Sequence, residues 1–95
     1  MSVEPATATR RLTLMHRGGL HARPSLAIVQ TVRRFHSQVQ IRNGDQEVDA
    51  ADILQILSMG IPRGAQLTLA AQGPDAEEVL DALVGLFADD FGMSE

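Results

Sequence analysis

The spacing of hydrophobic and polar residues changes several times along the chain and predicts a series of strands and helices. Apolar and polar residues alternate, as is typical of half-buried strands, over residues 11–16, 38–42, 46–50 and 66–70. Apolar residues recur at helical spacing over residues 22–35 and 53–58 and from residue 76 onward. The order β-α-β-β-α-β-α predicts an α+β domain with helices on one face of a small sheet.

Residues outside this pattern predict a turn and a tail. Asn43-Gly44 is a typical tight-turn sequence, so the second and third strands are predicted to form a hairpin. Residues 1–9 are mostly small and polar. We expect them to form a flexible N-terminal tail ahead of one domain over residues 10–95.

The first predicted helix has a single apolar stripe, formed by Ala22, Leu26, Val29, Val32 and Phe35. We expect this stripe to face the core.

The short second helix has more apolar surface than one core contact needs. Ile56 and Met59 lie on one side, and Ile53, Leu54 and Leu57 form an adjoining arc. An exposed apolar arc is typical of a protein interface. The alternative is a short helix that is wholly buried.

Composition excludes several classes of protein. The 95 residues include no cysteine, so disulfides and thiolate metal sites are excluded. The net charge of −4 argues against a nucleic-acid-binding protein, which usually has a basic surface. No apolar stretch approaches the roughly 20 residues of a membrane span, and the first residues lack a signal-peptide pattern. We expect a cytoplasmic protein that does not insert into membranes.

The loop before the first helix holds the most distinctive residues of the chain, Gly19-Leu20-His21-Ala22-Arg23-Pro24. Pro24 suits the first turn of a helix, so His21 is predicted at a helix N-terminus with Arg23 beside it. Helix N-termini attract anions, and unprotonated imidazole is a nucleophile. These residues indicate a site that holds or carries a phosphate. The alternative is a surface histidine that caps the helix.

This motif resembles the active-site sequence of the HPr family, the histidine-containing phosphocarriers of the bacterial phosphotransferase system. The order and length of the elements are also similar from about residue 10 to residue 91. The resemblance implies an antiparallel sheet of strand order 1-4-2-3 with three helices on one face. It implies that His21 accepts a phosphoryl group on Nδ1 and that Arg23 acts beside it. Gly19, Ala22 and Pro24 would shape the site or bind the phosphate.

The resemblance also implies the partners of the protein. Enzyme I, which depends on phosphoenolpyruvate, would be the donor, and an enzyme IIA-type protein the acceptor. The second helix, with Ile53, Leu54 and Leu57, would dock on them. A monomer without cofactor or metal is expected. The sugar-transport branch and the nitrogen-regulatory NPr branch both fit. The alternative function is a regulatory binding module that acts through the second helix without phosphoryl transfer.

The sequence departs from the family pattern at the second helix and in the loop. Asp52 stands where many members have a serine that a regulatory kinase phosphorylates, and Ala51 replaces the usual preceding lysine. Asp52 is either an N-cap, with Gln55 in a capping box, or a weak mimic of phosphoserine. Gly18 stands where the family often has an asparagine near the histidine.

The other two histidines, His16 and His36, have no carboxylates at a spacing that would build a metal site. We expect both to be ordinary surface or strand-end residues. The C-terminal acidic residues are likewise expected on the surface.

Overall fold

The computed structural model describes residues 7–93. Within them the strands are β1 (Thr7–Thr13), β2 (Gln38–Asn43), β3 (Gln46–Asp49) and β4 (Gln66–Gln72). The helices are α1 (Ala22–Val32), α2 (Ile53–Ser58) and α3 (Ala76–Ala88), followed by a 3₁₀ turn at Asp90–Gly92. The predicted order of strands and helices is confirmed.

The strands form an antiparallel sheet in the predicted order β1-β4-β2-β3. β4 lies inside the sheet, where Thr7 of β1 and Gln38 of β2 both stand opposite its Gln72. Burial alternates along β2 and β4. The helices therefore cover one face of the sheet, and the other face carries polar residues.

The core lies between this face and the helices. Ile41 and Leu69 stand opposite each other on β2 and β4 and are fully buried. Leu80 of α3 and Ile56 of α2 are also fully buried, and each such side chain stabilises the fold by about 1.5–3 kcal/mol. Ile56 is the residue of α2 that is buried, Ile53 is half-buried, and the other residues of this helix are exposed. No helix within residues 7–93 is long and apolar enough to cross a membrane.

β1 begins earlier than predicted and ends at Thr13. Residues 7–9 pair with β4, so the tail prediction is wrong for them, and residues 1–6 lie outside the described part. Arg10 obscured the alternation because it occupies a half-buried position where an apolar residue is expected. Its guanidinium binds the carboxylates of Glu77 (2.5 Å) and Asp81 (3.2 Å) on α3.

α1 ends before the predicted boundary, and its buried face differs from the predicted stripe. Ala22 and Leu26 are exposed, whereas Ile28 is buried. Ser25 explains the error, because this polar residue is fully buried on the inward face. Its hydroxyl donates a hydrogen bond to the Leu20 carbonyl (3.0 Å), which makes its burial tolerable.

Asp52 caps α2, as predicted, by accepting hydrogen bonds from the N–H groups of Leu54 (3.0 Å) and Gln55 (3.2 Å). The capping-box prediction is wrong. The side-chain NH₂ of Gln55 donates to the Asp52 carboxylate (3.2 Å). The side-chain oxygen of Gln55 accepts a hydrogen bond from the N–H of Asp49 (3.0 Å). The N–H of Asp52 already bonds the Asp49 carbonyl (3.1 Å) and is not available to Gln55.

Candidate functional site

His21 is the N-cap residue of α1, and its side chain is exposed. Its backbone is extended (φ −79°, ψ −169°), and its carbonyl accepts the N–H of Ser25 (3.1 Å). The imidazole makes no capping hydrogen bond, so the capping alternative is wrong. The ring therefore stands at the helix N-terminus and does not cap the helix.

The first turn of α1 leaves N–H groups available to an anion. Ala22 and Arg23 are the first helical residues, where N–H groups have no partner inside the helix. Pro24 has no N–H to satisfy and is buried, whereas Ala22 and Arg23 are exposed. These groups and the positive end of the helix dipole favour an anion beside His21.

Arg23 makes no hydrogen bond or ion pair within residues 7–93. A cation in the first turn of a helix is slightly unfavourable, so its position does not stabilise α1. A guanidinium offers two parallel donors to phosphate oxygens. Arg23 is therefore available to an anionic group at this helix end.

The loop before His21 depends on two glycines. Gly18 and Gly19 have φ values of 86° and 75°, which glycine adopts more readily than other residues. A Cβ on Gly19 would collide with the carbonyl oxygen of Ile61. The N–H of Leu20 donates to the same oxygen (2.9 Å). The loop therefore packs directly on the segment that follows α2.

His16 is not an ordinary surface residue, so that prediction is wrong. It is 5% exposed, and its Nδ1 lies 2.5 Å from Oδ1 of Asp90. Its ring centroid lies 5.3 Å from that of His21 and 5.5 Å from that of Phe91, within the range of aromatic contacts. Sequence reasoning missed this neighbour of His21.

A signal for the burial of His16 was present in the alternation, because Leu12, Leu14 and His16 occupy successive inward positions. No comparable signal pointed to Asp90, which is 74 positions away in the chain. Asp90 keeps a partly exposed carboxylate, as expected of a C-terminal acidic residue, but that carboxylate bonds His16.

A sharp turn after α3 brings Asp90 and Phe91 to His16. Their φ values are 51° and 60°, which are uncommon for residues with a side chain. Phe91 is 6% exposed, and its ring centroid lies 4.7 Å from that of Phe87. The C-terminal segment is thus packed against the His16 side of the site.

α2 exposes apolar side chains. Leu54 is 75% exposed and Leu57 is 37% exposed, so the helix is not wholly buried. Ile53 differs from the predicted arc because it is half-buried and packs against the core. The hydrogen bond between Leu20 and Ile61 connects the segment that follows α2 to the site loop.

A shallow depression of about 300 Å³ lies next to Asp90, lined by Met15, Arg17, Arg63, Phe87, Ala88 and Asp90. Its wall combines two arginines and one aspartate with three apolar residues. Among the residues that the structure describes, no group of three or more histidine or acidic side chains could hold a metal ion.

The chain matches the family model of the PTS HPr component phosphorylation site over residues 8–89. It is 37% identical over 86 residues to the phosphocarrier protein HPr of Cupriavidus necator, covering 90% of this chain and 97% of that protein. It is 33% identical over 86 residues to the phosphocarrier protein NPr of Proteus mirabilis, covering 90% and 96%. A crystal structure of HPr from Thermoanaerobacter tengcongensis matches with a TM-score of 0.88 at 35% identity, covering 93% and 99%.

The fold and these matches define a histidine-containing phosphocarrier. The chain belongs to the HPr family of the phosphotransferase system. The family and the strand order predicted from the sequence are both confirmed.

Proposed function

We propose that His21 accepts a phosphoryl group from phosphoenolpyruvate-dependent enzyme I and passes it to an enzyme IIA-type acceptor. The observation that carries this proposal is the exposed imidazole of His21, which does not cap the N-terminus of α1 on which it stands. A nucleophilic nitrogen is thereby combined with a helix end that attracts anions.

The transfer is an exchange of one N–P bond for another. The Nδ1 lone pair of neutral His21 attacks the phosphorus of the phosphohistidine on enzyme I. The donor N–P bond breaks, its electron pair returns to the donor imidazole, and each ring keeps the proton on its other nitrogen. The acceptor histidine repeats the exchange and restores His21. The protein is therefore a recyclable substrate rather than a turnover enzyme.

The charge of the phosphoryl group is stabilised by donors at the start of α1. The N–H groups of Ala22 and Arg23 and the Arg23 guanidinium are the candidates, because phosphoryl transfer depends mainly on positioning and charge stabilisation. Gly19 and Pro24 shape the backbone that presents them. No metal ion or cofactor is part of this proposal.

Partner proteins dock on the apolar surface of α2. Leu54 and Leu57 provide most of its exposed apolar area, and exposed apolar patches are typical of interaction sites. Ile53 lies at the edge of this surface. We propose a cytoplasmic monomer that binds its donor and its acceptor in turn through one face.

Asp52 acts as the N-cap of α2. Both carboxylate oxygens accept hydrogen bonds from residues of this helix, as the distances to Leu54 and Gln55 support. Aspartate and serine are equally good caps, but aspartate cannot be phosphorylated as serine is. Regulation by a serine kinase at this position is therefore not expected.

The exposure of Leu54 also favours a second candidate function. A regulatory module could bind a partner through α2 without any transfer at His21. Such a module would form a complex with its partner but would carry no phosphate. Labelling at His21 separates these two functions.

The test incubates the protein with phosphoenolpyruvate and enzyme I and measures the intact mass. We expect one added phosphoryl group that is labile to acid and stable to alkali, and none in His21→Ala. Enzyme I of the sugar branch and of the nitrogen branch are used in parallel, so that the faster donor identifies the branch. Equal labelling of His21→Ala would overturn the site assignment.

The role of Arg23 is tested with Arg23→Lys and Arg23→Ala. Lysine keeps the charge but lacks the planar pair of donors, so we expect transfer to the acceptor to slow in both variants while the unfolding midpoint stays nearly constant. Equal transfer rates in all three proteins would reduce Arg23 to a surface charge.

A further inference from the structure

We propose that His16, anchored by Asp90, is a positioning residue that holds the His21 ring in its transfer-competent orientation. This inference rests on the proposed phosphoryl transfer at His21. It adds a residue that does not touch the phosphoryl group and acts through the ring it contacts.

The first step of the argument is the anchoring of His16. A carboxylate accepts hydrogen bonds only, so Nδ1 of His16 must donate its proton to Asp90 (2.5 Å). This bond fixes both the protonated nitrogen and the plane of the ring. The Phe91 ring meets His16 edge-on at 5.5 Å and an interplanar angle of 84°. His16 is thus held on two sides.

The second step concerns what holds the His21 ring within residues 7–93. Its side chain makes no hydrogen bond within the described residues and is exposed. Gly18 lies against one ring edge, where a Cβ would stand 3.1 Å from Cδ2 of His21, but glycine has no side chain to hold the ring. The His16 ring, 5.3 Å away and tilted by 42°, is the ring contact that can orient His21 within residues 7–93.

The third step is the backbone conformation that places the anchor. Asp90 and Phe91 both adopt left-handed backbone angles, which cost of order 1 kcal/mol or more each outside glycine. This turn puts the carboxylate of Asp90 and the ring of Phe91 against the same histidine. Strained backbone persists where the surroundings over-determine it, and such positions cluster at functional sites.

Orientation matters because transfer requires Nδ1 to approach the phosphorus in line. A ring that rotates among several rotamers presents Nδ1 correctly for only part of the time. A misplacement of about 1 Å can reduce a rate by up to about a hundredfold. We therefore expect the loss of this support to slow phosphorylation without abolishing it.

The experiment compares His16→Phe, His16→Ala and Asp90→Asn with the unmodified protein. Phenylalanine keeps a ring between His21 and Phe91 but cannot donate to Asp90. Asparagine tolerates the left-handed backbone at position 90 and can still accept the bond from His16, but without charge. His36→Phe is the matched control, because the His36 side chain is exposed and only its backbone N–H is bonded.

Two quantities are measured for each variant: the initial rate of phosphorylation by enzyme I, and the rotamer populations of His21 from NMR three-bond couplings. We expect one dominant rotamer in the unmodified protein and averaging in His16→Ala, with a rate about tenfold lower. His16→Phe and Asp90→Asn are expected in between, and His36→Phe should leave both quantities unchanged.

The rotamer populations separate positioning from a merely structural role, because a stabilising residue would change the unfolding midpoint but not the orientation of His21. The inference is overturned if His16→Ala stays folded and labels at the unmodified rate with unchanged couplings. The proposed function fails in a different way, by absence of labelling in the unmodified protein.

Discussion

The two ends of α3 each use an aspartate, but for different purposes. At the N-terminal end, Asp75 binds the segment that follows α1. At the C-terminal end, Asp90 binds His16, whose ring contacts His21, the N-cap residue of α1. Both aspartates therefore connect α3 to α1. Within residues 7–93, the connection through Asp90 is the one that reaches the exposed imidazole of His21.

The Asp75 end is a closed set of hydrogen bonds. The carboxylate accepts the N–H of His36 (2.8 Å) and the hydroxyl of Ser37 (2.5 Å), and the N–H of Asp75 donates to Oγ of Ser37 (3.2 Å). The Ser37 hydroxyl, and after it the N–H of His36, lowers the pKa of Asp75. All these bonds are made between backbone or short side chains, so this end serves stability.

The Asp90 end binds an imidazole ring in place of backbone groups. It requires two residues in left-handed conformations, a cost that the Asp75 end avoids because Gly73 supplies its unusual backbone angle. The difference teaches that the same residue type at a helix end stabilises the fold in one place and, on our proposal, prepares a reactive residue in the other.

The largest expected effect is at Gly73, which has a φ of 150° and lies against Ser37. A Cβ there would stand 2.7 Å from the Cα of Ser37, so Gly73→Ala should lower the free energy of unfolding by about 3 kcal/mol. Gly44→Ala is the control, because its φ is also positive but the space is open. It should cost about 1 kcal/mol. Denaturant unfolding measures both, and equal losses would contradict the packing argument.

A smaller effect is expected at Leu54 of α2, which tests whether partner proteins dock on this helix. Leu54→Ala removes an exposed side chain, so the free energy of unfolding should change by no more than about 0.5 kcal/mol. Binding to enzyme I should weaken by about 1 kcal/mol or more.

Val84→Ala provides the comparison, since Val84 is an exposed apolar residue on α3 (38%). Calorimetric titration with enzyme I should give the unmodified affinity for this variant. If both variants bind equally well, α2 is not the docking surface.

The smallest expected effect is the pH dependence at the Asp75 end. The folded pKa of Asp75 lies below its ordinary value of 3.8, so its contribution to stability is fully present above that value. The contribution is lost as the pH falls through the folded pKa. The difference in unfolding free energy between the unmodified protein and Asp75→Asn should be constant from about pH 7 to pH 5 and shrink below about pH 4. A difference that grows toward low pH would reverse the sign and contradict the hydrogen-bond argument.

Local signals allowed the sequence to predict most elements. α2 was predicted with the correct bounds because Asp52 caps it and Gly60 follows it. β2, β3 and β4 follow from alternation and from the turn at Gly44. β1 was displaced because Arg10, whose partners on α3 are distant in the chain, occupies an inward position.

Local signals also made part of the candidate site predictable. His21 and its neighbours are contiguous, so a local motif was enough to select them. His16 and Asp90 meet only through the turn after α3. The two residues of this turn with left-handed angles, Asp90 and Phe91, are not glycines, so the sequence does not indicate the turn at these positions. Contacts between residues that are distant in the chain depend on tertiary packing, which the local spacing of apolar residues does not predict.

The most direct test of the account makes Asp75→Asn and Asp90→Asn and measures both variants in two ways, by thermal unfolding and by the rate of phosphorylation with enzyme I and phosphoenolpyruvate. Asp75→Asn should lower the unfolding midpoint and label at the unmodified rate. Asp90→Asn should label severalfold more slowly, up to about tenfold, with the smaller change in midpoint. The account is contradicted if Asp75→Asn slows labelling as much as Asp90→Asn does, or if Asp90→Asn changes only the midpoint.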